Sequence, residues 1–243
     1  MTDTFELEKL ENIRKLGQSD DLRALSMKWI ADVSRHKYSY HFTWLGRPVI
    51  QFPQDLVAMQ EIIWRVRPSL IIETGVARGG SLVFYASLLE LVGGDRRVVG
   101  IDIDVREHNR LEIEKHPLAQ RIDLVEGSSV EPRVIETVNE MARDRRPILV
   151  VLDSNHTSDH VLKELEAYSP LVTRDSYLVV FDTVIEEMPE GFFPDRPWGK
   201  GDNPKTAVQE FLRGTDRFVV DEEYDAKLLI TVAPGGYLRC VKD

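Results

Sequence analysis

Between residues 69 and 182, short apolar runs alternate with amphipathic stretches: SLIIETG, GGSLVFYASLLELV, RRVVGID, VREHNRLEIEKH, RIDLVEG, EPRVIETVNEMARD, PILVVLD, HVLKELEAYSPLV and SYLVVFD. The alternation predicts β and α segments in strict succession. Runs rich in Val, Ile and Leu that turn polar only at their C-terminal ends are the pattern of parallel strands buried on both faces. Strands and helices in this order predict an α/β fold with a doubly wound, mostly parallel sheet, helices on both faces and right-handed crossovers.

The flanks follow other periods. Phe5, Leu10, Ile13 and Leu16, then Leu22, Leu25, Trp29 and Val33, recur at helical spacing and predict two amphipathic helices parted near Gly17 to Asp20. Their apolar stripes require burial, against the core or a second subunit. YSYHFTWLGRPVIQFPQD, with Gly46, Pro48 and Pro53, reads as an aromatic loop, and LVAMQEIIWRV as a helix. After residue 182, KTAVQEFLR reads as a helix, and FVVDEEY, KLLITV and YLRCV as strands, the last two joined by APGG in an antiparallel hairpin. The chain thus divides into an N-terminal extension or cap, residues 1–60, and a sheet domain, residues 61–243.

Composition narrows the setting. With 42% hydrophobic and 30% charged residues the chain reads as globular, and no apolar run approaches the roughly 20 residues of a membrane span. The N-terminus mixes charges with single apolar residues, unlike a secretory signal, so the expected location is cytoplasmic. A net charge of −10 argues against nucleic acid as a partner. Cys240, the one cysteine, lies in an apolar alternation and reads as a buried strand residue.

In an open α/β sheet ligands bind beyond the carboxyl ends of the strands, so the residues ending each run carry the chemistry. The first run ends in ETGVARGGS, where Gly75 and Gly79 permit a sharp turn into a helix and Ser81 opens that helix. The second ends at Asp102, placed to accept hydrogen bonds from the two hydroxyls of a ribose. The glycine spacing departs from G-x-G-x-x-G, which gives a pyrophosphate a poor cradle and favours adenosylmethionine over a dinucleotide. Ser128, in EGSS, falls at an adenine edge. Asp153 and Asp182 end the fourth and fifth runs. Two facing carboxylates need a proton or a hard cation between them, unless each simply caps the helix or turn that follows. His156, three residues beyond Asp153, has the pKa of a general base. His36, His41, His108, His116 and His160 end no run and read as surface residues, with some reserve for His41 in its aromatic loop.

Together ETGVARGGS, GIDID, EGSS, LDSNH, FDT, RPWGKGDNPKTAV and LLITVAPGGYL resemble the family of cephalosporin hydroxylases and rhamnosyl O-methyltransferases, from about Tyr38 to the C-terminus. The resemblance implies a Rossmann-type methyltransferase that takes S-adenosylmethionine, with Glu73, Gly75, Ser81, Asp102 and Ser128 around the donor and Asp153 beside it. It also implies a hydroxyl acceptor, sugar-like by analogy with macrolide sugar methyltransferases. In metal-dependent relatives the fourth-strand aspartate and a Glu-Asp pair after the fifth strand bind Mg2+, and the histidine acts as base. Asp153, Asp182 and His156 match, so Mg2+ or Mn2+ is the expected metal. Phe181 replaces the glutamate; Glu186, Glu187 or water could fill its place, or the metal could bind weakly.

Three other readings remain. An NAD-linked oxidoreductase lacks its glycine pattern here, and an iron hydroxylase lacks a second well-placed histidine. A catalytically degenerate adenosylmethionine-binding partner is kept open by Phe181. The apolar N-terminal helices leave room for a homo-oligomer.

Overall fold

A computed structural model describes residues 3–243; Met1 and Thr2, counted in the N-terminal segment, lie outside them. Two helices, α1 (Thr4–Gly17) and α2 (Asp20–Ser34), start on Asp3 and Ser19, whose side chains accept from backbone N–H groups of the first turn. A short 3-10 turn (Tyr38–His41) leads into β1 (Phe42–Trp44) and β2 (Arg47–Val49), and α3 (Pro53–Val66) follows. Then come β3 (Leu70–Thr74), α4 (Gly80–Val92), β4 (Arg97–Asp102), α5 (Glu107–Glu114), β5 (Ile122–Glu126), α6 (Pro132–Ala142), β6 (Ile148–Leu152), α7 (Ser158–Tyr168) and β7 (Tyr177–Val180). The chain closes with α8 (Pro204–Arg213), β8 (Phe218–Val220), α9 (Glu222–Leu228) and β9 (Tyr237–Cys240).

The main sheet has the order β5-β4-β3-β6-β7-β9-β8, parallel from β5 to β7 and antiparallel at β9 and β8. The alternating runs are these five parallel strands and their four intervening helices. Period-two alternation sorts each strand onto two cores. Ile71, Val98, Leu149, Val151 and Val179 face one, with α3 and α4; Leu70, Ile72, Val99, Val150 and Leu178 face the other, with α6, α7 and α8. Strand order reverses between β3 and β6, so the crevice at their carboxyl ends is where a ligand belongs.

Three segments differ from expectation. The aromatic loop contains the hairpin β1–β2, turned by Leu45 and Gly46, both at positive φ as a type I′ turn requires. Leucine is an unusual first residue there and three-residue strands are too short to show a period. KLLITV forms no strand: α9 takes up its first residues, and β9 pairs with β7 and β8 instead of folding back through APGG. Gly236 makes that pairing possible, since a Cβ there would overlap the carbonyl oxygen of Val180. The N-terminal stripes, finally, are only partly covered. Ile13 and Ile30 are buried, but Phe5, Leu10 and Leu25 are 66%, 45% and 62% exposed. Cys240 is buried in β9, as its alternation implied.

Candidate active site

β3 runs straight into Gly75, whose N–H donates to the carbonyl of Ile101 on β4 (2.7 Å). Gly75 has φ +91°, and a Cβ there would overlap the carbonyl of Asp153. The first turn is thus pressed against the end of β6, which only glycine permits. Gly79, at φ +77°, opens α4 against Ile113. Asp102 closes the turn from the next strand: its Oδ2 accepts from the N–H groups of Val76 (2.9 Å) and Ala77 (3.2 Å). Glu73 lies beneath, 1% exposed, and accepts from the Ser81 hydroxyl at 2.6 Å. Burial pushes its carboxyl up to about 8, against the opposing pull of Ser81 and Tyr85. Glu73 and Gly79 therefore shape the turn, while Gly75 and Ser81 line the open space above it.

Asp153, His156 and Asp182 converge on the same crevice. One ligand atom of each lies within 4.8 Å of the others, and His156 Nε2 is 3.1 Å from Asp182 Oδ2. Asp182 reaches this point because β7 ends in a left-handed residue: Phe181 N–H still donates to Leu152, and Asp182 then turns at φ 56°. Asp153 accepts from Gln51 Nε2 (3.0 Å), and Trp198 meets the His156 ring edge-on at 4.8 Å. Burial, then the charges of Asp182 and Glu73, hold the Asp153 carboxyl well above the usual carboxylate range. A hard divalent cation fits such a donor set, being the charge that lets both carboxylates ionise together.

None of the acidic stand-ins for Phe181 reaches this set. Phe181 itself is buried in the core against Tyr237. Glu186 accepts from Gly201 N–H (2.7 Å) and from the Asn203 amide, and Glu187 pairs with Lys205. These bonds instead tie down the segment that carries Trp198.

Two cavities adjoin at the strand ends. One, of about 200 Å³, is lined by Asp102, Ile103, Ser128, Ser129, Asn155 and His160. The other, of about 440 Å³, takes in Ser81, Gln51, the Asp153–His156–Asp182 set and residues of α2. Gly75, Ser154 and Trp198 line both. His160 is thus no surface residue: its Nε2 lies 3.0 Å from Ser129 Oγ and 3.5 Å from Glu164 Oε1, and fully buried Glu164 also accepts from Ser154 (2.7 Å). A Glu at i+4 from His160, on the face that α7 buries, was the signal available in the sequence. Gln51 had none, since it follows a hairpin the sequence does not announce.

The sequence matches the family model described as Rhamnosyl O-methyltransferase/CmcI over residues 36–241. Rhamnosyl O-methyltransferases of Mycobacterium tuberculosis (strain H37Rv) and Mycobacterium leprae are 32% and 31% identical, covering 81% of this chain and 77% and 82% of theirs. Among solved structures, CmcI with Mg and SAM superposes with a TM-score of 0.59 at 21% identity, over 84% of this chain and 78% of that one. The structural likeness concerns the fold; by the family match and the mycobacterial relatives, the chain belongs to the rhamnosyl O-methyltransferase/CmcI family.

Proposed function

We propose that this protein transfers a methyl group from S-adenosylmethionine to a hydroxyl of a sugar-like or related small molecule, with Asp153 and Asp182 holding Mg2+ or Mn2+ and His156 acting as general base. The convergence of Asp153, His156 and Asp182 in the larger cavity, next to Ser154 and Trp198, which also line the smaller, carries this reading. The named function of the relatives supports it.

Asp102 and Ser128 border the smaller cavity, suited to the ribose and base of the donor, and Gly75 and Ser81 border the larger one where its amino-acid tail would run. Adenosylmethionine supplies an electrophilic methyl, and a bound cation makes an acceptor hydroxyl more acidic. The chain's residues do the rest. Asp153 and Asp182 would hold the cation through carboxylate oxygens, the ligand type that a hard divalent metal favours. That preference leaves His156 free of ligation, held in place by Asp182 and the Trp198 edge, to take the acceptor proton. Holding both reactants in line contributes much of the remainder. The segment before α3 acts as an extension that caps the sheet domain, with Ile30 and Ser34 of α2 reaching the larger cavity; a division between residues 60 and 61 would cut α3, whose Ala58, Met59, Ile62 and Ile63 share one core with the sheet. No helix among the described residues is long and apolar enough to cross a membrane.

His156→Ala should lower turnover by about 10²–10⁴-fold while S-adenosylhomocysteine binds as before in calorimetry. Chelation should suppress wild-type activity and Mg2+ or Mn2+ restore it, and the Ala variant should keep its metal affinity. Activity that survives exhaustive chelation would remove the metal from the mechanism. Donor binding without turnover on any hydroxyl compound would favour the degenerate partner that Phe181 keeps open.

A further inference from the structure

The charged residues lining the larger cavity fall into two sets. Asp153, His156 and Asp182 form the catalytic group, and all the others, Lys37, Arg78 and Arg196, are cationic. This runs against a net charge of −10. Among the described residues none of the three joins an ion pair, although Arg97, Lys205 and Lys227 each hold a carboxylate. Arg78 belongs to the donor turn and is suited to the carboxylate of the donor's amino-acid tail. Lys37 and Arg196 have no such use. Lys37 follows the C-terminus of α2, where a cation is favoured anyway, but it is held at the cavity by a left-handed backbone (φ 53°) fixed through its N–H to Ser34 and its carbonyl to Tyr40. Arg196 stands 5.1 Å over the ring of Trp198, the residue shared by both cavities.

Part of the wall of the same cavity is apolar. Ile30, Phe52, Val184 and Met188 form one buried cluster with Phe193 packed on it, and all five line the cavity. A molecule with hydroxyls on every face would lose water there without gaining partners. Resting on the methyl-transfer reading above, we propose that the acceptor is amphiphilic. Its reacting hydroxyl, sugar-borne or not, is joined to an apolar body that lies on the Ile30–Phe193 wall. An anionic substituent, carboxylate, sulfate or phosphate, meets Lys37 and Arg196.

The test uses the full chain saturated with S-adenosylhomocysteine, so that Arg78 and the donor space are already engaged. Two fluorescent probes of similar shape are titrated: anionic 8-anilino-1-naphthalenesulfonate and neutral N-phenyl-1-naphthylamine. Replacing both cations, Lys37→Gln with Arg196→Gln, should weaken the anionic probe on the order of ten-fold and leave the neutral one within about two-fold, because only the first loses charge-assisted contacts. The anionic probe's affinity should also fall with added salt. Phe193→Ala should weaken both probes, as it removes part of the shared wall. Equal effects of the double substitution on both probes, or none on the anionic one, would overturn the anionic part. Indifference of both probes to Phe193→Ala would overturn the apolar part. Failure of the wild-type chain to bind S-adenosylhomocysteine at all would instead strike the methyl-transfer reading.

Discussion

Two glycines at opposite ends of the first turn and helix, Gly75 in the site and Gly93 beyond the C-terminus of α4, separate contact from backbone strain. Gly75 and Gly93 both have positive φ, +91° and +79°, but an added Cβ overlaps Asp153 at the first and meets nothing within 4 Å at the second. Gly93→Ala should therefore cost only strain, about 1–3 kcal/mol, since φ 79° with ψ 173° is a region that glycine alone readily occupies, whereas Gly75→Ala adds overlap with backbone, should cost more still and should abolish S-adenosylhomocysteine binding together with activity. Thermal unfolding and calorimetry on the two variants check this. At the residue scale the sequence exposed whatever ends an apolar run: Gly75, Asp102, Asp153 and Asp182 all stand at the crevice. It concealed residues that arrive sideways. His160 reaches the smaller cavity from the first turn of α7, and Gln51 reaches Asp153 from the far side of a hairpin, neither with a run to mark it.

Among the elements, the segment after α9 shows what periodicity cannot supply. Residues 231–236 look like strand and turn, yet their backbone is held by a carboxylate from α3. Asp55, fully buried, accepts from the Thr231 hydroxyl, the Val232 N–H (3.0 Å) and the Tyr237 hydroxyl (2.7 Å). Val232 in turn accepts from Val184 N–H and lines the larger cavity, so Asp55 fixes part of the cavity wall. Burial raises the Asp55 carboxyl to about 6 despite these donors. Because folding raises this pKa, the group's contribution is fullest below its unfolded value and declines as pH rises through about 6. Asp55→Asn should destabilise the fold by about 2–3 kcal/mol in urea unfolding. The wild-type advantage over the variant should shrink between pH 4.5 and 7; an advantage that grows over this range would refute the assignment. The inner parallel strands β3, β4, β6 and β7, in contrast, were legible because burial on both faces leaves a nearly unbroken apolar signature, while the edge strand β5, interrupted by Asp123, was legible from its place in the alternation.

For the molecule as a whole, the N-terminal helices bear on the larger cavity and not on the smaller one. Ile30 and Ser34 line the larger cavity, neither helix borders the smaller one, and α1 touches the body at α9, where Gly17 lies against Ala226. A chain lacking residues 1–36 should bind S-adenosylhomocysteine within a few-fold of wild type, lose acceptor turnover and, with Phe52 uncovered, become less soluble. Titration calorimetry, an acceptor assay and sedimentation of the truncated chain measure each part. Trp198 has a further consequence. Its indole is the only one of the chain's four that lines either cavity, and it lines both; Trp44 donates to Ser87 at the edge of α4, Trp64 lies under Arg67, and Trp29 packs on Tyr38. The protein thus carries a built-in optical reporter at the junction of its two cavities, so that a change in indole emission can report a ligand entering either one without a label.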